Sequence, residues 1–150
     1  MRGVEVYCGA SIGIALYPTD AKVPEELIIN ADQAMYEVKK SGRNGWHFYT
    51  EEMQHKSEQR HHLYNALVTA ILDDELTFHL QPIITTHSGK TTACEALARW
   101  QRADGSWISP VEFVPIAEET GLINQVDYMI MEKAVAALQG INADRVEPIA

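Results

Sequence analysis

Glu95-Ala96-Leu97-Ala98-Arg99-Trp100, followed one loop later by Ser109-Pro110-Val111-Glu112-Phe113-Val114-Pro115-Ile116-Ala117-Glu118-Glu119-Thr120-Gly121-Leu122-Ile123, decides how this chain is read. Glu95 lies in an otherwise apolar run with Ala93, Cys94, Ala96 and Leu97. A carboxylate that turns inward from such a strand must be paired, protonated or bound to a metal, whereas on the solvated face it needs nothing. Arg99 is four residues on, an even offset that puts both side chains on one face of an extended strand. Its guanidinium fits two chemistries equally: an ion pair with Glu95, or a two-pronged grip on a phosphate. The second stretch opens with a serine N-cap, proline at the first helical position and glutamate at the third, the capping box of a helix.

Outward from this core the patterning alternates between strand and helix. Leu76 to Thr85 and Thr91 to Trp100 read as two strands around a turn at His87-Ser88-Gly89-Lys90, a hairpin whose strands run antiparallel. Gly121 is a break, and Leu122, Val126, Met129, Ile130, Ala134, Ala137 and Leu138 form one face of a following helix, with Gly140 beyond its end. Upstream, apolar residues at Val4, Val6, Cys8, Ile12, Ile14 and Leu16 have the period of a strand with one buried face. From Pro24 the residues Leu27, Ile28, Ala31, Met35 and Val38 repeat at helical spacing towards Gly42, and Trp46 to Tyr49 is a short strand. Glu51 to His62 is charged and histidine-rich, and Leu63, Leu67, Ala70 and Ile71 then make a narrow apolar stripe, as in a helical connector that becomes amphipathic.

Composition narrows the function classes. The 150 residues are 46% hydrophobic and 22% charged, an ordinary globular mixture. A net charge of −9 argues against DNA or RNA as a partner, because polyanion binding needs clustered Lys and Arg. No apolar run reaches the ~18 residues of a membrane span, and the first residues lack a secretory signal, so no membrane contact and a cytoplasmic setting are expected. Cys8 and Cys94 are far apart in separate apolar runs, which predicts two buried thiols rather than a disulfide or metal site. The six histidines lack ligand spacing: His61 and His62 are adjacent, and His47, His55, His79 and His87 are scattered, which predicts solvated or packing roles.

Gln81-Pro82-Ile83, Glu95 to Trp100 and Ser109 to Ile123 occur in the order and approximate spacing of the EAL family, which the chain resembles from about residue 74. Ser11-Ile12-Gly13-Ile14-Ala15, Ala31-Asp32-Gln33-Ala34-Met35-Tyr36 and Lys39-Lys40-Ser41-Gly42-Arg43-Asn44 resemble the closing part of a GGDEF, diguanylate cyclase-type, domain. The resemblance implies an α/β chain in three parts: residues 1–50 the C-terminal part of a GGDEF domain, 51–73 a helical connector, and 74–150 the N-terminal part of an EAL domain. That EAL part is the start of a modified (β/α)8 barrel whose first strand is antiparallel to the second. The GGDEF signature loop would lie upstream of Met1 and the later EAL metal ligands downstream of Ala150.

The implied function is a cyclic di-GMP signalling protein, with a phosphodiesterase that hydrolyses the cyclic dinucleotide to linear pGpG using Mg²⁺ or Mn²⁺. Glu95 is the implied metal ligand, Gln81, Leu97 and Arg99 the substrate-binding residues, and Lys39 and Arg43, four apart across a helix end, the contacts to a nucleotide phosphate. Leu80 stands where the family has tyrosine. Two alternatives come from other classes: a degenerate module that binds cyclic di-GMP without cutting it, and a non-catalytic oligomerising fragment. With one metal ligand the chain by itself is expected to be inactive, and its uncovered sheet edges and the Leu63, Leu67 and Ile71 stripe predict a homo-oligomer.

Overall fold

A computed structural model describes residues 8–143, 145, 148 and 149, so the expected strand positions Val4 and Val6 lie outside the described residues. The chain divides into two compact units, residues 1–61 and 62–150, and the division falls inside a single helix.

In the first unit β1 (Ser11–Ile14) and β2 (Gly45–Phe48) pair in parallel, with Ile12 opposite Trp46 and Ile14 opposite Phe48. Parallel neighbours need a crossover connection, which is α1 (Pro24–Lys40). Pro24 opens the helix, Glu25 and Glu26 occupy its first turn, and Lys39 and Lys40 its last, in keeping with the helix dipole. The expected burial of the even positions is corrected here. Ile12 is 52% exposed and Leu16 is also exposed, because the face of β1 that meets α1 is the one carrying Gly13. A Cβ on Gly13 would collide with the Ala31 carbonyl oxygen and the Met35 nitrogen, so the glycine permits backbone-to-backbone contact. On α1 the buried line is Asn30, Ala34 and Val38, whereas Ile28 projects outward. Cys8 is exposed and Cys94 half-buried, so the expectation of two buried thiols fails for Cys8.

Helix α2 (Glu51–Leu72) contributes Met53 to the first unit's small core with Ala34 and Tyr49, and Leu67 and Ala70 to the core of the second. Leu63 and Ile71 pack against the second core as well. The apolar stripe expected to join two copies therefore covers this chain's own core, where it removes more apolar surface from water than an exposed stripe would.

The second unit is a three-stranded sheet in the order β3-β4-β5 with two helices packed on it. β3 (Leu76–Ile84) and β4 (Thr91–Gln101) form the antiparallel hairpin that their patterning predicts. β5 (Trp107–Ile108), not foreseen from so short a segment, returns through a tight turn with Gly105 at φ 84° and pairs with Trp100 and Gln101. α3 (Pro110–Thr120) starts at the expected capping box, with the Ser109 N–H donating to Glu112 Oε2 at 3.2 Å, and stops at Gly121 in the left-handed conformation. α4 (Ile123–Asn142) buries Val126, Ile130 and Ala134 as expected, but runs through Gly140 rather than ending before it. Trp100 is fully buried at the centre, edge-on to Phe113 with ring centroids 5.6 Å apart, and its indole N–H donates to Glu75 Oε2 at 3.1 Å.

Gly13→Ala is expected to destabilise the first unit by about 1–3 kcal/mol, since strand and helix must separate to admit one methyl group. Amide hydrogen exchange should accelerate across Ser11–Ile14 and Pro24–Lys40 while α3 and α4 keep wild-type protection. Unchanged protection in β1 and α1 would show that the close approach is not required.

Candidate functional site

The hairpin register decides which side chains can act together. Gln81 stands opposite Glu95, His79 opposite Leu97, and Thr77 opposite Arg99. Directly paired residues share a face, and alternate residues along each strand share it too. Gln81, Glu95, Leu97 and Arg99 therefore lie on one face of one hairpin. The opposite face carries Leu76, Phe78, Ala98 and Trp100 and packs into the core, and Leu80, opposite Ala96, also faces that way. The leucine at position 80 consequently does not share a face with Gln81.

Glu95 is exposed on this face, so it is not the inward carboxylate that demands a cation. Nor does it pair with Arg99. The Arg99 Nε–H donates to His79 Nδ1 at 3.2 Å, and Nη1 donates to the Ala98 carbonyl at 2.8 Å. Of the two chemistries open to Arg99, the structure does not use the ion pair, and among the described residues none bonds the Glu95 carboxylate. Hard oxygen donors of this kind suit Mg²⁺ or Mn²⁺, so Glu95 fits one ligand position. Among the described residues no group of three His, Cys, Asp or Glu side chains is placed to hold a metal.

Two residues join the site that the sequence reading left out. His79 meets Arg99 directly, and the Trp107 ring lies 5.9 Å from the His79 ring at a tilt of 59°. The parity of His79 with Gln81 was the available signal for the first. Trp107 gave none, because its place follows from the β4–β5 pairing of Gln101 with Trp107. Of the other histidines, His47 bonds the neighbouring Phe48 carbonyl at 2.9 Å, and His55 lies 3.9 Å from Glu58 on the exposed face of α2.

Beside the hairpin, a cavity of about 440 Å³ is lined by Leu97, Arg99, Val114, Ile130, Ala134 and Leu138 among others, between β4 and the two helices. It is largely apolar and adjoins the stretch of β4 that has no strand partner on the β5 side among the described residues. In the first unit Lys39 sits in the last turn of α1, but Arg43 lies beyond the Ser41 cap at φ 64°. The helical i, i+4 geometry that would point both at one phosphate does not extend to Arg43, because the helix ends at Lys40.

The profile of the EAL domain matches residues 64–149, and that described as diguanylate cyclase, GGDEF domain, matches residues 1–45. The bifunctional diguanylate cyclase/cyclic di-GMP phosphodiesterase MucR of Pseudomonas aeruginosa is 41% identical over 130 residues, 87% of this chain and 19% of that protein. An uncharacterized signaling protein of Caulobacter vibrioides is 38% identical over 134 residues, 89% of this chain and 17% of its own length. A solved structure of the PaMucR phosphodiesterase in complex with c-di-GMP is 29% identical, with a TM-score of 0.51, over 57% of this chain and 35% of that one. The chain thus spans less than a fifth of the length of these curated relatives.

Titrating the 150-residue chain with Mn²⁺ should give no saturable site tighter than about 1 mM, since one exposed carboxylate cannot replace the six or more oxygens such cations take. Broadening of NMR signals confined to Glu95 and its neighbours that saturates at Mn²⁺ concentrations far below this would contradict it.

Proposed function

Because the chain belongs to the EAL domain family over residues 64–149, preceded by a segment of GGDEF domain, we propose that it forms part of a cyclic di-GMP phosphodiesterase that opens the cyclic dinucleotide to linear pGpG. The observation that carries the reading is the register of the hairpin, which collects Gln81, Glu95, Leu97 and Arg99 on one face clear of the core. MucR, whose name gives it both cyclic di-GMP activities, supports the same choice. In this reading residues 1–50, 51–73 and 74–150 are the end of the GGDEF domain, the connector and the start of the EAL domain, in a longer cytoplasmic protein.

Each residue then has a role set by its chemistry. Gln81 has an amide that both donates to and accepts from a guanine edge. Arg99 holds a phosphate, Leu97 lines the floor beside it, and Glu95 would ligate Mg²⁺ or Mn²⁺ together with carboxylates from elsewhere in the domain. When bound, such ions supply Lewis-acid stabilisation to the entering and leaving oxygens of an in-line displacement. Hydrolysis adds the oxygen of one water to one phosphorus and releases one ribose oxygen with a proton, so the ring opens at a single bond. Lys39 and Arg43 would serve the GGDEF side as phosphate contacts made independently of each other.

The EAL domain is tested by substitution in the full-length protein. Glu95→Gln should lower turnover by roughly two orders of magnitude or more, through loss of a metal ligand. Arg99→Lys should raise KM about tenfold with a smaller change in kcat, because the forked phosphate contact is lost. Wild-type kinetics for both variants would refute the assignment, and tight binding without turnover in the wild type would select a binding module instead.

The chain is further proposed to associate with a second copy of itself through β4, whose edge before Trp100 has no strand partner on the β5 side among the described residues. Unpaired strand edges invite pairing. Sedimentation equilibrium over a dilution series should show a concentration-dependent dimer, and a monomer at every concentration would rule it out.

A further inference from the structure

We propose that His79 is a positioning residue for Arg99, which it holds so that the guanidinium offers its Nη1–Nη2 edge to a phosphodiester. For the identity of that ligand the inference rests on the cyclic di-GMP reading above.

The register makes the contact possible. His79 is directly opposite Leu97 and diagonal to Arg99 on the shared face. A diagonal pair is within reach of long or ring side chains, and here the Arg99 Nε–H meets His79 Nδ1 at 3.2 Å. A guanidinium nitrogen only donates, so Nδ1 must carry the lone pair and the imidazole proton resides on Nε2. Two further contacts complete the clamp: the Trp107 ring lies 5.9 Å from the imidazole, and Arg99 Nη1 donates to the Ala98 carbonyl at 2.8 Å.

The consequence concerns which hydrogens remain. Nε–H and one Nη1–H are engaged inside the protein. The unengaged hydrogens are on Nη1 and Nη2, at the end of the fork, where two parallel bonds to phosphate oxygens are made. A long side chain that is already held loses less rotamer freedom when its ligand arrives. Removing the acceptor should therefore free the side chain and weaken phosphate binding without altering charge.

Two variants separate this from a packing role. His79→Phe keeps an aromatic ring beside Trp107 but has no acceptor, and His79→Gln restores an acceptor. In the ¹⁵N-labelled 150-residue chain, solvent exchange of the Arg99 Nε–H should accelerate about tenfold in His79→Phe and return towards the wild-type rate in His79→Gln. In parallel, cyclic di-GMP affinity of the full-length protein, followed by calorimetry, should fall about three- to tenfold in His79→Phe and recover in His79→Gln. An Arg99 resonance unmoved by His79→Phe, or equal affinity losses in the two variants, would overturn the positioning role. If the full-length wild-type protein binds no cyclic di-GMP while the Arg99 resonance still follows the acceptor, the positioning stands and the ligand assignment of the preceding subsection fails.

Discussion

The second unit depends on the burial of Trp100. Its indole is fully enclosed, packs edge-on against Phe113 from α3, and donates its N–H to Glu75 at the start of the hairpin. Glu75 also accepts from the Ala103 backbone N–H at 3.3 Å, so one carboxylate ties the entry to β3 to the exit from β4. A buried ring of this size contributes several kcal/mol, and its polar edge would be costly without an acceptor. Strand residues alternate faces, so enclosing Trp100 leaves Arg99, Leu97 and Glu95 on the opposite side. A slip of one residue would exchange the two sets entirely. The packing of one tryptophan thus sets the orientation of every candidate binding residue on β4.

The base of the hairpin is fixed by neighbouring elements rather than by the candidate residues themselves. Lys133 of α4 donates to the Leu76 carbonyl at 2.5 Å and pairs with Asp74 at 2.6 Å, which anchors the helix at the base of the hairpin. Asp74 adopts φ 58° immediately after α2, and the Glu75 N–H returns to the Ala70 carbonyl at 2.9 Å. These contacts turn the chain sharply from helix into strand. They let Leu67 and Ala70 of α2 share a core with Leu76 and Trp100.

In the first unit a different constraint acts. Gly13 brings the backbone of β1 against that of α1, and this selects which face of the strand is covered. Ile12, Trp46 and Phe48 are consequently exposed on the other face, where Trp46 and Phe48 meet edge to face with centroids 5.5 Å apart. Alternation alone, which favours burying the bulkier set, led to the opposite assignment. The tighter contact available to glycine prevailed.

How much was legible in the sequence divides along physical lines. The capping box at Ser109, the stop at Gly121, the hairpin from β3 to β4 and the shared face of Glu95 and Arg99 are local consequences of backbone geometry, and a sequence specifies them directly. The motifs from Gln81 to Ile123 also placed the chain in its family, which the match over residues 64–149 bears out. Long-range contacts were not legible. The choice of His79 over Glu95 as the partner of Arg99, the place of Trp107, the exposure of Cys8 and the burial of the Leu67 stripe all depend on groups distant in the chain. Local rules determine which residues share an element and a face. Only the packed structure determines which of them touch, because contact follows from how several elements fill space together.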